Sequence, residues 1–202
     1  METGQITRNS SLGNAIYNLS KQNDIKVIVE FGTWNGMGST KCVIDGLKER
    51  NDDYFFMTIE LYPDMYEKAK RNLCNYLNDK IVLLHGRISN YEDLFWFDHN
   101  IIPKNDPHAN LYMESDKKYL KIVPNVFEKI PRLINLCILD GGAYSTYPEY
   151  KKIKDRVKIF ALDDTKVLKC KKIREELMEE KWIVLMDDQE TRNGASIFKR
   201  NP

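Results

Sequence analysis

Along the chain, short apolar runs alternate with longer stretches whose apolar residues recur every three or four positions. Residues 25–31, 54–60, 80–86, 133–140 and 158–164 read as buried strands. Leu12, Ile16 and Leu19 stand at helical spacing and predict a helix over 12–22. Further helices are predicted over 37–50, 64–77, 148–157 and 166–180. Pro63 and Asp64 form a natural helix start, and Ile173 and Leu177 share a face of the last helix. Residues 182–188 and 194–200 are two final strands with no helical stretch between them, and a turn over 192–194 would pair them antiparallel. Strand–helix alternation of this kind predicts an α/β fold with a mostly parallel sheet and helices on both faces. The rhythm breaks over 89–132, too long for a plain connection and therefore predicted to be an insertion. No repeat or low-complexity linker divides the 202 residues, which suits one domain.

Composition narrows the classes of partner. The 31 basic and 30 acidic residues give a formal net charge of +1, so nothing points to nucleic acid or an acidic membrane surface. Lys169, Cys170, Lys171 and Lys172 read as a solvated helix start rather than a basic patch. Cys42, Cys74, Cys137 and Cys170 are far apart without a metal-binding spacing, and Cys137 sits in an apolar run where it should pack as a small hydrophobe. The N-terminal residues lack the basic and apolar parts of a signal peptide, and no run is long enough to span a bilayer. The expectation is a soluble cytoplasmic protein.

The strongest local signal lies where the first strand meets a helix, from Glu30 through Gly32, Gly36 and Gly38 to Thr40. Gly32 permits a tight turn, and Gly36 and Gly38 allow a ligand close to the backbone. The helix that follows offers free N–H groups to an oxygen or carboxylate. The spacing departs from the pattern of dinucleotide-binding oxidoreductases and resembles the E-x-G-x-x-x-G motif of S-adenosylmethionine enzymes. Glu60 ends the second strand, where a carboxylate would accept hydrogen bonds from both ribose hydroxyls. The resemblance implies a Rossmann-like class I methyltransferase fold, a seven-stranded sheet closed by an antiparallel hairpin. It places the methionine moiety against Glu30, Gly32, Thr33, Gly36 and Ser39, the ribose at Glu60 and Leu61, the adenine near Gly86, Arg87 and Ile88, and the reactive end near Asp140. His85 is a candidate base but reads better as a strand-end histidine with a structural hydrogen bond.

Asp140 ends the fourth strand and Asp163 and Asp164 end the fifth, so three carboxylates should converge on one crevice. Unpaired they would raise one another's pKa, and a hard divalent cation would relieve the repulsion. Capping of the following turn and helix is the plainer alternative. The stretch from Ile138 to Tyr144, with Leu162 to Asp164 and the glycine loop, resembles the metal-dependent sugar O-methyltransferases of the macrocin type. That resemblance implies Asp140, Asp163 and Asp164 as catalytic ligands of Mg2+ or Mn2+ holding an acceptor diol. Gly142 departs from it, since the family commonly has an aspartate there as base. Tyr144, Glu149, His108 and His85 are the substitutes the sequence offers; otherwise the metal alone would acidify the hydroxyl.

The expected activity is transfer of an activated methyl group to a hydroxyl of a sugar or glycan. The insertion would wall the acceptor site with Tyr91, Phe95, Trp96, Phe97 and Tyr112 available to stack or to bury themselves, and Trp34 would stand at the entrance or in the core. A catechol-like diol acceptor, and a binding module that has lost activity, are the competing readings. The chain suits either a free-standing enzyme or one domain of a larger glycan-building protein.

Overall fold

The computed structural model describes residues 5–96 and 109–202. Phe97 and His108, and the side chains of Phe95 and Trp96, lie outside the described residues. The strands are β1 (Val27–Phe31), β2 (Phe55–Glu60), β3 (Ile81–His85), β4 (Ile134–Leu139), β5 (Val157–Asp163), β6 (Ile183–Asp188) and β7 (Ala195–Lys199). The helices are α1 (Ser11–Ser20), α2 (Ser39–Leu47), α3 (Pro63–Leu73), α4 (Ala109–Ile122), α5 (Thr146–Ile153) and α6 (Leu168–Glu179). They build a seven-stranded sheet in the order β3-β2-β1-β4-β5-β7-β6, parallel except for β7, which runs antiparallel to both its neighbours.

The two-residue period of the strands sorts the core into two layers. Ile28, Phe56, Leu136, Ile138 and Ala161 face α1, α2 and α3, meeting Ile16, Val43, Ile44 and Leu73. Val29, Met57, Cys137, Leu139 and Phe160 face the other way, against Tyr150 and Ile153 of α5 and Ile173 and Leu177 of α6. Cys137 packs as its apolar run predicts, and all four cysteines are free thiols. No described helix is long and apolar enough to cross a membrane.

Two helices begin later than their patterns suggest, each for a local reason. α2 starts at Ser39 rather than at residue 37 because Gly36 (φ +78°) and Gly38 hold non-helical backbone. α6 starts at Leu168 because Val167 is still extended (φ −113°, ψ 172°), after Thr165 and Lys166 whose amides donate to the carbonyls of Gly194 (3.1 Å) and Asn193 (2.7 Å) in the β6–β7 turn. Among its described residues the insertion contains α4 and two short 3₁₀ turns, Tyr91–Trp96 and Phe127–Lys129. Leu94, Met113, Leu120 and Val123 pack with Leu61 and Tyr144, which follow β2 and β4. The insertion is thereby seated over the carboxyl ends of the strands.

Candidate active site

The order of strands reverses between β1 and β4, and in open α/β sheets a ligand crevice opens at that point. Here the two strand ends are stitched together. The Asp140 amide donates to the Phe31 carbonyl (2.9 Å), and the Gly32 amide donates to Ile59 (2.9 Å). Gly32 has φ +94°, and a Cβ on it would lie 2.1 Å from the Asp140 carbonyl oxygen. The loop beyond it is held from beneath. Thr33 and Thr58 hydroxyls meet at 2.5 Å, and Glu30 Oε2 accepts from both Thr58 (2.6 Å) and Thr40 (2.6 Å). Trp34 takes a left-handed backbone (φ +50°), with its amide donating to Glu60 Oε2 at 2.6 Å. Glu60 Oε1 accepts from the Tyr62 amide at 2.9 Å. One carboxylate therefore fixes both the glycine loop and the turn after β2.

A cavity of about 950 Å³ opens above this frame. Gly32, Thr33, Ser39, Glu60, Leu61, Gly86 and Asp140 all line it. Burial pushes the Glu60 carboxyl up to about 7, against the downward pull of the Tyr62 and Trp34 amides. Four residues grouped with these by sequence do not line the cavity. Glu30 is fully buried under the loop, where it accepts the threonine hydroxyls. Gly36 turns toward α3, and a Cβ there would come 2.8 Å from the Leu73 side chain. Ile88 is a fully buried core residue. Arg87 donates to the Val123 carbonyl (2.9 Å), the Ser89 carbonyl (2.8 Å) and Asn90 Oδ1 (2.6 Å), tying the end of β3 to the chain after α4. His85 stacks on Tyr66 with ring centroids 4.9 Å apart and places Nε2 3.3 Å from the Leu61 carbonyl, away from the cavity.

Asp140, Asp163 and Asp164 converge as predicted, each with an oxygen within 4.8 Å of the others. They do not cap helices: neither Ser145 before α5 nor Val167 before α6 makes a side-chain cap bond, and the donors to the aspartates are side chains. Lys169 Nζ lies 2.6 Å from Asp140 Oδ1, 2.7 Å from Asp164 Oδ2 and 4.0 Å from Asp163 Oδ2. Arg192 Nη2 lies 3.3 Å from Asp164 and 3.5 Å from Asp163, and Asn193 donates to Asp164 (3.1 Å). The reading of the lysine run as a solvated helix start is corrected here: Lys169 is 9% exposed and belongs to the site. Burial and the Asp140 charge push Asp163 up to about 7. Burial would also raise Asp164, but Lys169, Asn193 and Arg192 together hold it below its ordinary value. The three aspartates outweigh the desolvation of Lys169 and keep it firmly an ammonium.

The opposite wall is built from the β4–α5 loop and the insertion. Asp116 of α4 is completely buried; Oδ1 accepts from the Tyr62 hydroxyl (2.6 Å) and Oδ2 from the amides of Tyr144 (3.0 Å) and Ser145 (3.1 Å). A Cβ on Gly142 would fall 2.5 Å from Asp116 Oδ1. The space that an aspartate at 142 would use is filled by a carboxylate from another part of the chain. Of the substitute bases named from sequence, Glu149 and Tyr144 line the cavity. Glu149 Oε2 is buried without a hydrogen bond, and burial, then the charges of Asp116 and Glu60, raise its carboxyl well above the usual range.

No family model and no curated protein matches this sequence. Solved structures do match, over nearly the whole chain. TomG, an O-methyltransferase of Streptomyces achromogenes involved in tomaymycin synthesis and solved with S-adenosylmethionine, is 12% identical, with 98% of this chain and 82% of TomG covered at a TM-score of 0.58. The chain has the class I methyltransferase fold. The methyltransferase PaMTH1 of Podospora anserina, solved with S-adenosylhomocysteine, matches with a TM-score of 0.60 at 14% identity over 94% of this chain and 78% of its own. A precorrin-6y C5,15-methyltransferase from Geobacter metallireducens matches at 0.55, with 11% identity over 98% and 91%. TomG is an O-methyltransferase and the Geobacter metallireducens protein a C5,15-methyltransferase, so the shared fold carries no single acceptor.

Proposed function

We propose that the chain binds S-adenosylmethionine in this cavity and transfers its methyl group to a hydroxyl oxygen, with a sugar or glycan hydroxyl as the acceptor. The observation that carries the reading is Glu60. It is a buried carboxylate at the cavity wall, locked by two backbone amides beside a glycine turn at the switch point of the sheet, where it can accept from both ribose hydroxyls. The Gly32–Ser39 loop and the first amides of α2 suit the methionine carboxylate, and Leu61 and Gly86 suit the base. Oxygen transfer is favoured by the carboxylates at the far end of the cavity, and the O-methyltransferase TomG shares the fold.

The sulfonium methyl needs no covalent intermediate. The acceptor oxygen attacks the methyl carbon, the carbon–sulfur bond breaks, and S-adenosylhomocysteine leaves. The enzyme aligns the three atoms, which in well-oriented models is worth up to about 7–11 kcal/mol. The hydroxyl proton passes to a carboxylate, and Asp163 lines the cavity. Trp34 (37% exposed), Tyr62 and Tyr112 (48% exposed) also line it and offer flat faces to a sugar ring, Tyr112 coming from the insertion. A divalent ion at the three aspartates is what the macrocin-type resemblance implies. The oxygens are spaced closely enough, but the Lys169 ammonium stands among them. The donor set as arranged therefore does not fit an ion.

Calorimetry with S-adenosylmethionine tests the cofactor half. Glu60→Ala removes two charge-assisted hydrogen bonds, nominally about 1.5–3 kcal/mol each, so binding should weaken about a hundredfold or more. The carboxylate form accepts from both hydroxyls, so affinity should rise with pH through about 7, and Glu60→Gln should remove that dependence. Equal affinity for wild type and Glu60→Ala would sink the reading. For the transfer half, Asp163→Asn should lower kcat by about 10²–10⁴ while leaving cofactor affinity within about threefold; unchanged turnover over a panel of sugar acceptors would remove Asp163 from the chemistry.

A further inference from the structure

We infer that Lys169 is the resident cation of the three-aspartate cluster and takes the place of a divalent ion there. Its position makes sense on no other ground. Lys169 is the second residue of α6, and a cation in the first turn opposes the helix dipole. It is also buried, which penalises a charge unless partners surround it. Both penalties are met by Asp140 at 2.6 Å and Asp164 at 2.7 Å, with Asp163 at 4.0 Å. The next residue, Cys170, is completely buried in the core, so the helix cannot draw the lysine away without unpacking.

The carboxylates are shaped to the ammonium as well. Asp164 holds a left-handed backbone (φ +58°), unusual for a residue with a side chain, and its oxygens reach Lys169, Arg192 and Asn193. Fully ionised, the three carboxylates against the charges of Lys169 and Arg192 leave one net negative charge. An added divalent ion would have to sit in contact with an ammonium already bonded to two of its three ligands, or expel it. An ammonium has three N–H groups. Asp140 and Asp164 engage two of them, and Lys169 lines the cavity, so one donor is left to hold an acceptor oxygen, the task an ion would have had.

Manganese titration of the full chain, followed by the loss of the free-ion paramagnetic signal, tests this without asking for methyl transfer. A failure here therefore leaves the methyltransferase reading standing, and a failure of cofactor binding leaves this inference standing. Wild type is expected to bind no Mn2+ at the cluster at millimolar concentration. Lys169→Met keeps the length of the side chain and removes the charge. It should bind one Mn2+ about a hundredfold or more tighter than wild type, since a unit charge in contact with the ion is gone, and Asp164→Asn in that background should abolish the gain. Lys169→Arg, which keeps the charge, should behave as wild type. Circular dichroism and thermal melting establish that each variant is folded. One-to-one Mn2+ binding by wild type that Asp164→Asn removes would overturn the inference, as would a folded Lys169→Met with no gain in affinity.

Discussion

Gly32→Ala is expected to abolish cofactor binding and to destabilise the chain by about 3–5 kcal/mol, the upper range for a single substitution. Two penalties act at one atom. The backbone angle of +94° is closed to alanine, and the new Cβ would lie 2.1 Å from the Asp140 carbonyl oxygen and 2.4 Å from its carbon. Neither neighbour can yield, because Asp140 is bonded through its amide to Phe31 and Gly32 through its amide to Ile59. The switch point itself would have to open, taking the glycine loop with it. Gly36→Ala provides the contrast. Its angle is also left-handed, at +78°, but the atoms it meets belong to the Leu73 side chain at 2.8 Å rather than to backbone. Denaturant unfolding should rank the two variants in that order, and calorimetry should show cofactor binding lost only in the first. A stable Gly32→Ala protein with wild-type affinity would mean that this turn does not cradle the cofactor.

The seven strands were legible because each is a compact apolar run, and their mostly parallel pairing follows from the alternation with helices, whereas their order appears only in the structure. The carboxylates Glu60, Asp140, Asp163 and Asp164 were legible for a related reason. They end strands, and the fold carries strand ends to one crevice. What escaped were groups whose role depends on three-dimensional neighbours. Lys169 sits in a run of like charges that looks solvated, and only its burial beside the aspartates distinguishes it from Lys171 and Lys172. Its sole hint in the sequence is a cation placed in the first turn of a helix. Asp116 lies inside the insertion, between Ser115 and Lys117, with no pattern to separate it from an exposed acid. Arg87 and Ile88 follow a strand that ends at the cavity, yet the chain turns there to meet Pro124 and Val126, so they anchor the insertion instead. The hairpin turn at 192–194 could be placed, but not the reach of Arg192 and Asn193 to the β5 aspartates.

Asp116→Ala should be as damaging as any change in the wall opposite the aspartates, and it tests why position 142 is glycine. The substitution strands the Tyr62 hydroxyl and the amides of Tyr144 and Ser145, three buried donors, at about 1–3 kcal/mol each before water enters. A net loss of about 3–5 kcal/mol is expected, with kcat/KM falling because Tyr62, Tyr144 and Ser145 all line the cavity. Asp116→Asn should retain most of the stability. Its amide oxygen can accept both backbone N–H groups, and its NH₂ can donate to the Tyr62 oxygen. Gly142→Asp alone should destabilise, since its Cβ would meet Asp116 Oδ1 at 2.5 Å and two carboxylates would share one buried site. The same substitution in the Asp116→Ala background should recover part of what was lost, because the carboxylate returns to nearly the same space from the other chain segment. The double-mutant cycle is thus expected to show strong favourable coupling between two positions far apart in sequence. Additive effects would mean that Asp116 and residue 142 do not compete for one place, and that the glycine answers to some other constraint.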